Sequence, residues 1–329
     1  MKLLIASAHR YPDLARLWYR FVSRDVVPAF HAKGLEVEVR IFRDAHEAAF
    51  DPQLFRGAVL DAPREGARDF LEFYDAALGL ESDFILFLDA DVFLLDGKWA
   101  ADHFDRFEDP EVAAVSMLRR TAQPGLYALL LRTKTYRALP APVLACRYEG
   151  LNGEAPAVNL QPGDHAAMSL RAAGVRILDI PAEEARGPIA DFHGTTVVRA
   201  SRELFGIFNT DRFERLGGDK RYFAMGAYDN TLLGALYREL YSEPFASEPD
   251  GTHLSGSVTA EALREHLARS RDPRLLVRLS SYFERSRRVL ARLAAHEGIS
   301  VRPPRVFSFH RQMILSAAVK LLPTSKTRC

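Results

Sequence analysis

Cysteine is nearly absent, with Cys146 and Cys329 the only two in 329 residues. There is no CxxC pair and no zinc-ligand spacing, so a disulfide scaffold and a structural zinc site are both excluded, and a reducing cytoplasm is the expected home. An excess of one charge is missing too: Lys and Arg number 44 against 43 for Asp and Glu. That balance removes any general reason to expect nucleic acid as a partner. Long apolar runs are also lacking, none reaching the roughly 18 to 20 residues of a spanning helix. The first run, Met1 to Ala8, is followed by His9, Arg10, Asp13 and Arg16. It is too short for a signal peptide and reads as a buried strand. No GxGxxG element or Walker A loop follows a predicted strand, which removes the dinucleotide and P-loop classes. Internal repeats and low-complexity linkers are absent.

What remains is an ordinary globular composition, 48% hydrophobic and 26% charged, sufficient for a large core. Lys2 to Ala8 is apolar, and Tyr11-Pro12-Asp13 then opens a segment with Leu14, Leu17, Trp18, Phe21 and Val22 at helical spacing. Gly34 closes that helix, and Leu35 to Phe42 alternates as a half-exposed strand does. Pro63 starts another helix, broken at Gly79 before the run Phe84-Ile85-Leu86-Phe87-Leu88, a buried central strand. The pattern further predicts a helix near Trp99 to Phe107, strands at Val112 to Leu118, Leu126 to Arg132 and Val175 to Ile180, and a helix from Gly163 to Ala173. A strand and turn over Asp191 to Val198 and helices over Tyr228 to Leu240 and Ala260 to Ala295 complete the reading. Strands alternating with helices imply a mostly parallel sheet covered on both faces, with ligands outside the carboxyl ends of its strands.

Asp89-Ala90-Asp91 falls at such an end. Two carboxylates on alternate residues, just past a buried strand, supply hard oxygen ligands that converge on a divalent cation, Mn²⁺ or Mg²⁺, while phosphate and water oxygens complete its shell. Such a cation offsets the charge that builds on a departing diphosphate. The bland alternative is a pair of loop or helix-capping aspartates. Flanking apolar runs on both sides, Phe84 to Leu88 and Val92 to Leu95, favour the metal, because buried charge needs compensation.

A hydrophobic strand ending in DxD after two or three βα units, as Asp83 to Leu95 does here, resembles the GT-A glycosyltransferases. The resemblance covers roughly residues 1 to 200. It implies a GT-A, Rossmann-like α/β fold: a mixed, mostly parallel sheet flanked by helices, here with a helical C-terminal extension. Residues 1–205 are expected to form the nucleotide-sugar-binding and catalytic domain, and 206–329 a mainly helical region completing the acceptor side. Gln161 to Ile177 looks like the inverting pattern in which an acid opens a helix that ends in Gly and a strand. By that likeness Asp164 is the general base for an acceptor hydroxyl; Gly163 stands where the family usually has a second acid, and helix capping is the competing role. Phe192-His193-Gly194-Thr195-Thr196 resembles the late histidine that adds a protein ligand to the metal, and His193 is assigned that place. Ser7, Ala8, His9 and Arg10 stand where the fold holds the nucleotide base and ribose. Arg64 and Arg68 are candidates for the base or diphosphate, with surface ion pairing as their ordinary role. Arg119, Arg120, Gln123 and Tyr127 flank the expected acceptor cleft, and Asp229 is read as the cap of a helix.

The expected activity is metal-dependent transfer of a sugar from a nucleotide sugar, UDP-sugar first, to a small-molecule, glycan or lipid-linked acceptor. Inversion is the expected outcome. The absence of a QxxRW element after Asp164 points to single additions. A haloacid-dehalogenase-like phosphatase also carries DxD after an apolar strand, with Asp89 as nucleophile and Asp91 as acid/base, but that motif belongs on the first strand. A nucleotidyltransferase on the same sheet wants a Gly-rich loop after strand one, where this chain has Ser7-Ala8-His9-Arg10-Tyr11-Pro12. A non-catalytic nucleotide-sugar-binding protein is the third alternative, for which Gly163 argues. Lastly, the arginine-rich stretch from Arg271 to Arg292 is a basic amphipathic pattern, ordinarily the solvated face of a packed helix, with peripheral membrane contact through the basic tail that ends Lys326-Thr327-Arg328 as the alternative.

Overall fold

The computed structural model describes residues 1–9, 11–43, 50–61, 76–119, 128–138, 170–171, 173–192, 220–245 and 273–302. The chain divides into two compact units, Met1–Ala190 and Asp191–Cys329.

In the first unit, β1 (Lys2–His9) leads into α1 (Pro12–Phe21), whose proline at the helix start has no N–H to leave unsatisfied. Leu14, Leu17, Trp18 and Phe21 form its buried face. One wide turn, Val22–Val26, carries the helix on into α2 (Val27–Ala32). Gly34, at φ 76°, stops it: its N–H donates to His31 C=O at 2.8 Å and Leu35 N–H to Phe30 C=O at 3.3 Å. That pair is a Schellman ending, and its left-handed residue is why glycine stands there. β2 (Glu36–Arg43) and β3 (Ala58–Leu60) come next, then β4 (Phe84–Leu88), β5 (Val92–Leu94), α3 (Gly97–Asp102), β6 (Val112–Arg119), β7 (Ala128–Arg132) and α4 (Thr133–Arg137). β8 (Arg176–Pro181), α5 (Ala182–Ala185) and β9 (Ile189–Asp191), whose last residue opens the second unit, follow.

Among the described residues seven strands form one sheet in the order β3-β2-β1-β4-β7-β6-β8. β1, β2, β3 and β4 pair in parallel, β6 pairs in parallel with β8, and β7 alone runs antiparallel to its neighbours β4 and β6. The fold is therefore mixed α/β with a mostly parallel sheet, as expected. Because side chains alternate along a strand, Leu4, Ala6 and Ala8 join Ile85, Phe87, Leu129 and Leu131 on one face. There they meet Ala77, Leu78, Tyr136 and Leu170. Leu3, Ile5, Ser7 and His9 point to the other face, where α1 packs on β1 and Trp18 meets His9. β5 and β9 pair in a separate two-stranded sheet.

Two expectations need correction. The helix predicted near Trp99 to Phe107 is α3 followed by a tighter turn, His103–Glu108. Asp229 does not cap a helix: it lies well inside α6 (Lys220–Tyr241), fully buried. The segment is helical upstream of the acid, so a residue type favoured at helix starts is here a core group.

α6 and α7 (Pro273–His296) pack together in the second unit. Tyr282, Phe283, Ser286, Val289, Leu290, Leu293 and Ala294 of α7 are buried at helical spacing, while Arg285, Arg287 and Arg288 lie on the exposed side. Arg285 pairs with Asp191 at 3.1 Å and Arg287 with Glu284 at 3.3 Å. The apolar side of this part of the stripe is thus used in packing. Among the described residues no helix is long and apolar enough to cross a membrane.

Candidate active site

From β1 the chain runs outward to β2 and β3, then returns to β4 on the opposite side of β1. The reversal opens a crevice between the carboxyl ends of β1 and β4, the place where open α/β sheets bind ligands. The register places residues in it: Ala6 pairs with Phe87, so two residues further on Asp89, just past the end of β4, stands level with Ala8, which is still paired with Phe42 of β2. Asp83 anchors the far end, accepting from Lys2 N–H at 2.7 Å through its carboxylate while its own N–H donates to Lys2 C=O at 3.0 Å.

Asp89-Ala90-Asp91 forms a tight turn, closed by Val92 N–H donating to Asp89 C=O at 3.0 Å. The turn joins two strands of different sheets. Asp89 is half-buried, and Asp91 is only 3% exposed. Contacts made by Phe93, Leu95 and Gly97 hold the second half of the turn. Phe93 packs edge-on against Phe21 of α1 with centroids 5.4 Å apart, and Leu95 N–H donates to Pro188 C=O at 2.7 Å. Gly97 then passes so close to the α1–α2 connection that a Cβ there would sit 1.7 Å from the carbonyl oxygen of Asp25; only glycine fits. Asp96 caps α3 by accepting from Trp99 N–H at 2.9 Å. Both ends of the acidic turn are therefore fixed by packed structure.

At the neighbouring strand end Ser7, Ala8 and His9 are all buried. His9 lies against Trp18, ring centroids 5.0 Å apart. Burial disfavours its charged form and pulls its pKa from 6.5 down to about 3, so the imidazole is neutral at physiological pH. Arg10, Arg64, Arg68, Asp164 and His193 lie outside the described residues, as do Arg120, Gln123 and Tyr127. The site residues that can be seen together are Ser7, Ala8 and His9 with Asp89, Ala90 and Asp91. Among the described residues no three His, Cys, Asp or Glu side chains group into a metal-binding set. The chemistry of the Asp89 and Asp91 pair fits a hard cation that draws its remaining oxygens from phosphate and water.

The sequence reading missed the partnership of Trp18 with His9, since Trp18 fitted the apolar stripe of α1 equally well. It also passed over Ser116, buried in β6 with no hydrogen-bond partner among the described residues. The signal for Ser116 was a lone polar residue in the run Val112 to Leu118.

No protein-family model matches the chain, and no curated protein matches it. Among solved structures it is similar to the mannosyltransferase PcManGT from Pyrobaculum calidifontis, in complex with GDP-Man and Mn²⁺. That likeness has 14% identity and a TM-score of 0.40, and it covers 99% of this chain and 88% of that one. It is also similar to a mutant of Drosophila β1,4-galactosyltransferase 7 in complex with manganese, UDP-Gal and xylobiose, at 11% identity and a TM-score of 0.33, over 64% of this chain and 79% of that one. A cytidylyltransferase from Leptospira borgpetersenii matches at 12% identity and a TM-score of 0.33, over 55% and 75%. Glycosyltransferases and nucleotidyltransferases thus both occur among its structural neighbours. At such TM-scores the likenesses do not assign the chemistry of the site, which rests on its own residues.

Proposed function

We propose that this chain is a metal-dependent glycosyltransferase of the GT-A type, moving one sugar from a nucleotide sugar to an acceptor hydroxyl with inversion. The observation that carries the reading is the rigid Asp89-Ala90-Asp91 turn at the sheet's switch point, with Asp91 buried and Asp89 level with the end of β1. A nucleoside diphosphate suits this crevice, because a cation held by the acidic turn would offset the charge of its phosphates. Asp89 and Asp91 are the residues that would hold Mn²⁺ or Mg²⁺; His193 is proposed as a further ligand from the sequence alone. The cation, when bound, supplies neutralisation of the diphosphate as the glycosidic bond breaks.

The remaining chemistry belongs to the chain. The acceptor oxygen attacks the anomeric carbon, the bond to the diphosphate oxygen breaks with its electron pair going to that oxygen, and the hydroxyl proton passes to the carboxylate of Asp164. Residues 1–205 are assigned donor binding and transfer, with Arg10, Arg64 and Arg68 as cationic candidates for the donor. UDP-sugars are the first donors to try, and small molecules, glycans and lipid-linked hydroxyls the first acceptors. The strand end Ser7-Ala8-His9-Arg10 speaks against the nucleotidyltransferase alternative, since buried His9 stands where a glycine-rich loop would cradle a triphosphate. The position of the acid pair on β4, not on the first strand, speaks against a phosphatase.

A panel of nucleotide sugars incubated with Mn²⁺ tests this. Metal-dependent release of a nucleoside diphosphate from at least one of them supports the proposal. Pyrophosphate release from a nucleoside triphosphate and a sugar phosphate, orthophosphate release from a phosphomonoester, or no turnover of any donor would each contradict it.

A further inference from the structure

Ser7 and His9 stand on one face of β1, about 7 Å apart along the strand, and Trp18 leans on His9 from α1. Their exposures are 1%, 0% and 0%. Ser7 Oγ, both ring nitrogens of His9 and Trp18 Nε1 have no hydrogen-bond partner among the described residues. Buried polar groups are seldom left in that state, because each loses its water with nothing in return. Several such groups along one strand end and the helix above it call for something that is not a side chain.

The donors and acceptors select it. Trp18 offers an N–H alone, a neutral imidazole offers one N–H and one lone pair, and the Ser7 hydroxyl offers both. A cation wants acceptors only, and an anion wants donors only. A nucleobase is too large to reach atoms that are wholly covered. Water, with two donors and two acceptors, matches the mixed set.

We propose that Ser7, His9 and Trp18 enclose an ordered water that ties the carboxyl end of β1 to α1. His9 is then a positioning residue, acting through this water to hold Ala8 level with Asp89 at the crevice. The water stands on packing and polarity alone; only its influence on a nucleotide rests on the glycosyltransferase reading.

A crystal structure of the full chain that shows ordered solvent, paired with ¹⁷O relaxation dispersion in solution, tests it. The expected result is a water within about 2.7 to 3.2 Å of a His9 nitrogen and of Ser7 Oγ or Trp18 Nε1, and one long-lived water fewer in His9→Phe than in the wild type. Should His9→Phe not fold, Ser7→Ala serves, with faster exchange of that water expected. A direct hydrogen bond between Trp18 and His9, a dry site, or unchanged water counts and exchange in the variants would overturn it. Nucleotide binding is measured on the same samples: a water present where no nucleotide binds leaves this inference standing and removes the functional reading instead.

Discussion

The strand ends of the first unit and the helix pair of the second both bury polar side chains, yet they satisfy them in opposite ways. Between α6 and α7, Tyr282 donates its hydroxyl to Asp229, and Ser286, one turn along α7, hydrogen-bonds Tyr282. Burial first, and then the charge of Asp229, push the Tyr282 ionisation well above the usual tyrosine range, so this hydroxyl keeps its proton and remains a donor. At the end of β1, by contrast, Ser7 and His9 have no such partners among the described residues. A polar core whose members bond one another is a packing device. Buried polar groups that do not bond one another are instead what an enclosed water satisfies.

The comparison can be broken in order of expected effect. Asp164→Asn should leave donor binding intact and slow transfer by about 10² to 10⁴-fold, the usual contribution of a positioned base; steady-state turnover alongside calorimetry checks this, and unchanged turnover would remove the base assignment. Acid should expose the cost of burying His9. Below pH 6.5 the unfolded chain takes up a proton on this ring that the folded chain refuses until about pH 3. Stability present at neutral pH therefore drains as pH falls through that window, by about 1.4 kcal/mol per pH unit. Chemical unfolding between pH 7 and 4 should show the slope, and His9→Gln should flatten it; equal slopes in both proteins would mean that His9 is not buried neutral. Smaller again, Tyr282→Phe should cost about 1 to 3 kcal/mol by removing a donor from buried Asp229, with no change in nucleotide affinity. A loss of nucleotide binding in that variant, at temperatures where it is folded, would mean that the helix pair serves the site and not only its own packing.

Much of the frame was legible in the residues. Phe84 to Leu88 could only be a central strand, since five consecutive large apolar residues need cover on both faces, and the structure buries all five. The helix stop at Gly34 and the Pro12 start were legible because each rests on one residue's backbone chemistry. The acidic triplet was found by its place after a buried strand. The antiparallel insertion of β7 between β4 and β6 was not legible, because strand order depends on contacts between segments far apart in the chain. Asp229 misled for a related reason: a capping residue and a buried carboxylate look alike until its partner Tyr282, 53 residues away, is known. Gly97 gave no local signal either, its necessity coming from the carbonyl of Asp25 in another element.

The central claim, that the turn at the switch point holds a cation for a nucleoside diphosphate, is tested most directly by calorimetric titration of UDP and GDP into the wild type and Asp91→Ala, with and without Mn²⁺. The account predicts binding of at least one nucleotide by the wild type only with Mn²⁺, and a loss of about 100-fold or more in Asp91→Ala while its thermal unfolding stays cooperative. Binding that ignores both the metal and the substitution would contradict it.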